Sequence, residues 1–153
     1  MQETTDHLAE EDDMSCSESP LTHAITALIV LIPKKTQDSV SEVHARAARH
    51  DYAEHCSELA LKRVDRDMDS SGSLKRKRIH QDIPLELESV LATILVAVYE
   101  YCYCGKIARA RTRMATVITM ATDLGLHIVP RNAEYFDCKE RAWSMTVGQM
   151  IPV

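Results

Sequence analysis

Glycine is scarce in this sequence, with four in 153 residues, and aromatic residues make up only 5% of it. Four glycines spread along the chain cannot form a Gly-rich loop that cradles phosphates. No Asn-Gly or Asp-Gly pair occurs and no run sustains an apolar–polar alternation, so strand and hairpin signals are sparse. Long hydrophobic runs are missing too. The longest, Ala24 to Ile32, is broken by Thr26 and falls well short of the ~20 residues that a spanning helix needs, so no membrane segment is expected. Five cysteines, at 16, 56, 102, 104 and 138, are odd in number and irregular in spacing, which argues against a disulfide framework. With no secretory signal, reduced thiols in the cytosol or nucleus are the simpler expectation. A strong charge of one sign is also lacking where it would matter. The formal net charge is −5, but residues 1 to 18 hold seven acids and no Lys or Arg. The remainder carries 18 basic against 16 acidic residues, about +2, which is no electrostatic footprint for nucleic acid.

What is present is helical periodicity. With 45% hydrophobic residues, the chain can bury the core of one ordinary domain. Residues 1–18 are polar and acidic and read as a disordered tail. Ser19-Pro20 is a helix start, cap then first-turn proline, and LTHAITALIVLI follows until Pro33 stops it. Because that run is apolar nearly all round, a buried helix is expected. Ser39-x-x-Glu42 fits a capping box opening a helix to about Val64. Its expected buried stripe is Val40, Val43, Ala47, Tyr52, Cys56, Leu59 and Leu61. Residues 66–81 show no periodicity and predict a mobile loop. A third helix starts at Asp82-Ile83-Pro84 and is closed by Gly105. A fourth runs from Lys106 to Leu124, where Gly125 can take the left-handed cap conformation and Leu126 can fold back on Met120 or Ala121. The join is so short that the two must form an antiparallel hairpin, with Leu91, Leu95, Val98, Met114, Val117 and Leu124 buried. A last helix covers about Tyr135 to Val147, leaving 148–153 as a tail. The expected fold is all-α, an irregular bundle of about five helices around a central antiparallel hairpin.

Chemistry is hard to find. On paper Cys102-x-Cys104 joins Cys138, His127 or His55 into a zinc site, but structural zinc needs paired ligands at matched spacing and no second pair exists. Small thiols packed in a helical core explain these cysteines better. No His-Glu-x-x-His, Ser-x-x-Lys or Gly-x-Ser-x-Gly pattern occurs. Glu86, Glu88 and Glu100 share one helix, and a solvated face is the expected reading of them. No catalytic residue, metal ligand or cofactor site is therefore assigned, and no enzyme is expected. Arg109, Arg111 and Arg113 are expected to make surface or partner contacts. Lys75, Arg76, Lys77 and Arg78 form the only dense basic run, read either as a nuclear-import signal or as a solvated loop.

Three runs together resemble one family. LESVLATILVAVYEYCYCG, with Leu87, Glu88, Tyr99, Glu100 and Gly105, is similar to an LE-x-VQ-x-LL-x-L-x-x-YE-x-x-x-G helix. ARARTRMATVITMATDLGLHI, with Met120, Ala121, Leu124, Gly125, Leu126 and His127, is similar to a segment ending RMA-x-x-LGLH. CKERAWSMT, with Glu140, Arg141 and Trp143, is similar to a KERAWWMT helix. The order and spacing resemble the fungal-specific transcription factor regulatory domain, the middle homology region of zinc-cluster regulators of the xylanolytic-activator type. Fainter likeness extends the match to residues 19–147. The resemblance implies a nuclear regulator acting through protein or small-molecule contacts or self-association, with His127 as a turn residue. It also implies that zinc and DNA binding reside in a six-cysteine module absent from this chain. The alternative is a helical interaction module, or a non-functional fragment, with no role at promoters. The family's domain continues past the Trp143 helix, so the chain reads as its front half, a natural short form or an incomplete gene.

Overall fold

The computed structural model describes residues 18–33, 39–69 and 78–148, with side chains of 39–42 excepted. Among them are five α-helices: α1 (Pro20–Ile29), α2 (Ser39–Asp69), α3 (Leu85–Cys102), α4 (Ile107–Asp123) and α5 (Phe136–Gly148), with one 3-10 turn at Leu126–Ile128. No strand occurs among the described residues. The expected acidic tail, except Glu18, and residues 149–153 lie outside them.

α3 is the centre. It packs on α1 and α2 on one side and on α4 and α5 on the other, and the backbones of the two outer pairs do not approach each other closely. The main core joins Leu21 and Ala24 of α1, Ala60 and Val64 of α2, Val90 and Ile94 of α3, and Val117 and Met120 of α4. The Leu, Val, Ile and Met side chains of this set contribute ~1.5–3 kcal/mol each when fully buried. Ala27, Ala53, Cys56 and Tyr99 form a second cluster, and Leu87, Ala121, Leu126 and Ala142 a third. The pairings make α1 antiparallel to α2, α2 to α3, and α3 to α4, so the expected hairpin is there, with a second one beside it.

Local signals mostly act as anticipated. Ser19 caps α1, its Oγ accepting the Leu21 N–H at 3.1 Å, and Pro20 opens the helix. Gly105 and Gly125 have φ of 63° and 65°, the left-handed region that glycine enters freely. Leu126 is buried beside Ala121.

Four expectations change. The first helix stops at Ile29, short of the expected Pro33, and is not buried all round: Leu21, Ala24 and Ala27 face α2 and α3, while Ile29 and, in the turn after it, Ile32 stay 59% and 65% exposed, because only two helices cover this part of the chain. α2 runs past Val64 to Asp69, so residues 66–69 of the expected loop are helical. The Arg63–Asp67 pair one turn apart (3.7 Å) and the bond from Ser89 Oγ to Asp67 (2.8 Å) hold these last turns. The predicted stripe of α2 holds only in part: Cys56 is buried and Leu59 and Leu61 half-buried, but Val43, Ala47 and Tyr52 are exposed, Val40 lies outside the described side chains, and the buried face runs through Ala53, Cys56, Ala60 and Val64. Small residues let α1 and α3 approach there, and no described α2 residue before Ala53 is buried. Finally, Val117 is fully buried and Leu91, Leu95, Val98 and Met114 partly so, but Leu124 ends α4 as its cap and is 39% exposed.

Candidate functional site

The residues with the most pronounced chemistry are two carboxylates on the central helix. Glu88 and Glu100 are fully or almost fully buried, which corrects their reading as a solvated face; Glu86 alone is exposed. They are buried because α3 is covered on both sides, so even its polar positions meet neighbours. Twelve residues apart, they are rotated by roughly 120° about the helix and face different partners.

Glu88 ties distant segments together. Ser19 Oγ donates to its Oε2 at 2.6 Å, and the Ile79 N–H donates to its Oε1 at 2.9 Å. One carboxylate thus fixes both the start of α1 and the strand of chain leading into α3. Beside it, Ser89 Oγ donates to Asp67, which Arg63 approaches. His23, near this end, reaches Glu18 at 3.4 Å, and burial, outweighing the Glu18 charge, lowers its pKa. Both serine hydroxyls spend their proton on a carboxylate with no imidazole between. This geometry fixes hydroxyls in place and does not activate them as nucleophiles.

Glu100 faces α4. Arg109 Nε lies 3.2 Å from its Oε1 and Arg113 Nε 3.7 Å from its Oε2. Two of the three arginines expected at the surface therefore close on a buried charge, and only Arg111 is left exposed without one. Their 109/113 spacing places them one turn apart on one face, a signal present in the sequence. Cations at the start of a helix oppose its dipole, so Glu100 offsets an unfavourable arrangement. Lys106 pairs with Glu54 at 2.7 Å, a bond that lowers the Glu54 pKa and raises that of Lys106. Burial pushes the Tyr99 hydroxyl up, next to the Cys104 thiol.

The remaining motif residues are structural or exposed. Leu87, Tyr99, Met120, Ala121 and Leu126 are buried; Glu140 and Arg141 are exposed and Trp143 half-buried. His127 is exposed, its ring 5.8 Å from that of Trp143. Cys102, Cys104 and Cys138 do not converge: Cys104 packs with Cys56 on the Tyr99 cluster, Cys138 on the Leu87 cluster, and Cys102 is exposed. Among the described residues no group of three His, Cys, Asp or Glu is placed to hold a metal. No helix there is long and apolar enough to cross a membrane. Lys75, Arg76 and Lys77 lie outside the described residues. Arg78 donates to the Tyr135 hydroxyl at 3.2 Å. Tyr135, which sequence reasoning missed, has φ 59° and borders an open cleft of about 410 Å³ with Asp82, Arg131, Phe136, Asp137 and Cys138. Burial raises the Cys138 pKa, so the cleft offers a protonated thiol and no thiolate.

Comparisons with family models, with curated proteins and with solved structures gave no match.

Proposed function

We propose that this chain is the regulatory domain, or the front part of one, of a fungal transcription regulator, working in the nucleus through protein or small-molecule contacts. The reading is carried by the order and spacing of the three motif runs from Leu87 to Thr146. It is supported by where the motif positions fall. Buried carboxylates are rare, and both of those on α3 coincide with motif glutamates, Glu88 and Glu100. Both glycines that are left-handed among the described residues, Gly105 and Gly125, are motif positions as well. On this reading the domain carries no catalysis and no zinc of its own, and DNA is reached only through a module outside this chain. The test is cellular. A tagged chain should concentrate in nuclei and crosslink to a limited set of promoters. An evenly cytoplasmic pool without promoter enrichment would sink the reading.

A helical interaction module without a promoter role is the second reading, favoured by one observation. Ile29, Ile32, Val43, Tyr52, Tyr101, Tyr103 and Ile107 are all at least 47% exposed. Ile29 and Ile32 follow one another where α1 stops, and Tyr101, Tyr103 and Ile107 where α3 turns into α4. Apolar patches beyond a few hundred Å² usually mark association, so self-association and binding of a hydrophobic dye are expected under either reading. Promoter occupancy separates the two.

A further inference from the structure

We propose that Ser19 is a phosphorylation site, and that a phosphate there unlatches α1 from the bundle because Glu88 cannot accept it. Three observations meet at this residue. Ser19-Pro20 is the only Ser-Pro or Thr-Pro pair in the chain, so a proline-directed protein kinase has one candidate. The Ser19 hydroxyl has two structural duties at once, accepting from the Leu21 N–H at 3.1 Å and donating to Glu88 Oε2 at 2.6 Å. Glu88 is fully buried and holds the Ile79 N–H on its other oxygen. A helix cap needs only the accepting role; the second bond is what couples the cap to the core.

The transfer is an ordinary phosphoryl transfer from a nucleoside triphosphate. Ser19 Oγ attacks the γ-phosphorus, the new O–P bond forms, and the bond to the β–γ bridging oxygen breaks. The nucleoside diphosphate leaves and the Ser19 proton passes to the kinase's base. Ser19 is only 4% exposed, so the kinase acts on a frayed state. Fraying here means opening the first turn of α1, which breaks the Ser19–Glu88 bond and lifts Leu21 from the core while the rest of the bundle stays closed. Glu18, immediately before it, is already exposed.

The sign of the effect is set by Glu88. A phosphate at a helix start is ordinarily favourable, since the dipole and free N–H groups welcome negative charge. Here the modification removes the proton shared with Glu88 and sets a charge of about −1.5 to −2 against a buried carboxylate. The phosphorylated residue cannot return to its place. The start of α1 leaves the bundle, and Leu21 and Ala24, packed in the main core, are uncovered. The switch converts a closed edge into an apolar surface and stands whether or not the transcription reading holds.

The experiment uses the full chain, a purified proline-directed kinase and Mg-ATP, followed by intact mass and peptide mapping. One phosphate at Ser19 is expected, and none in Ser19→Ala. The modified protein should melt roughly 5 °C lower or more, the scale of a lost cap plus a lost hydrogen bond to a buried carboxylate. In Glu88→Gln the same phosphate should lower the melting temperature by less than half as much, or raise it. Should Glu88→Gln not fold, hydrogen exchange on the wild-type chain decides: peptides covering 20–27 and the Ile79 amide should exchange about tenfold faster after phosphorylation. No incorporation at Ser19, an equal loss in Glu88→Gln, or unchanged exchange would each overturn the proposal.

Discussion

α1 and α3 are the two most apolar helices of the molecule, and the tertiary structure treats them differently. Read alone, residues 24–32 and 90–98 have the same character, few polar side chains and no clear wet face. α3 is buried on nearly every side, from Leu87 and Val90 through Ile94 to Tyr99, and even its glutamates are inside. α1 buries one face and leaves Ile29, and Ile32 in the turn after it, in solvent. The difference is position in the stack. α3 lies between two helix pairs, whereas α1 has neighbours on one side only. Apolarity states what a helix can bury, and the number of neighbours decides how much it does.

The largest test of that contrast is Ile94→Ala. The side chain is 1% exposed in the main core, so truncation should cost about 2 to 5 kcal/mol by denaturant unfolding. An unchanged midpoint would remove α3 from the centre. Glu88→Ala comes next. It strips the acceptor from Ser19 Oγ and the Ile79 N–H, and leaving buried donors unpaired costs about 1 to 3 kcal/mol. Gly125→Ala should destabilise by about 1 kcal/mol. The φ of 65° is the cause, since an added Cβ would meet only Ile128 Cγ1 at an ordinary 3.8 Å.

His23 sharpens the comparison on the α1 side. Burial holds its folded pKa below the ordinary 6.5, so the folded state prefers the neutral ring. The unfolded chain then binds more protons just below that pH. Stability should be full above about 6.5 and fall as pH drops through it, and His23→Gln should flatten that slope in pH-dependent melts. The smallest effect is expected at Ile32→Ala, within about 0.5 kcal/mol, because the residue is already exposed. A cost near that of Ile94→Ala would mean that α1 is covered by something, such as a second copy.

Much of the local structure was legible. The Ser19 cap, the glycine stops at Gly105 and Gly125, and the fold-back of Leu126 each follow from a residue's own backbone preferences and its near neighbours. The candidate site was not legible in the same way. Glu88 and Glu100 look like the outer face of any helix, and nothing near them in sequence announces Ser19 or Ile79, 69 and 9 residues away. The arginines of α4 did carry a signal, their one-turn spacing, but its meaning depends on which buried group they face.

The sequence by itself determined five helices, where most of them stop, and the hairpin of α3 and α4, because caps, glycines and a short join act over one or two turns. Only the tertiary structure decided which apolar faces are covered and which charges are inside. Burial is a property of the neighbours a residue acquires. Two glutamates with the same local pattern as a solvated one become buried anchors because the chain brings a serine hydroxyl, a backbone N–H and two guanidinium groups to them from elsewhere.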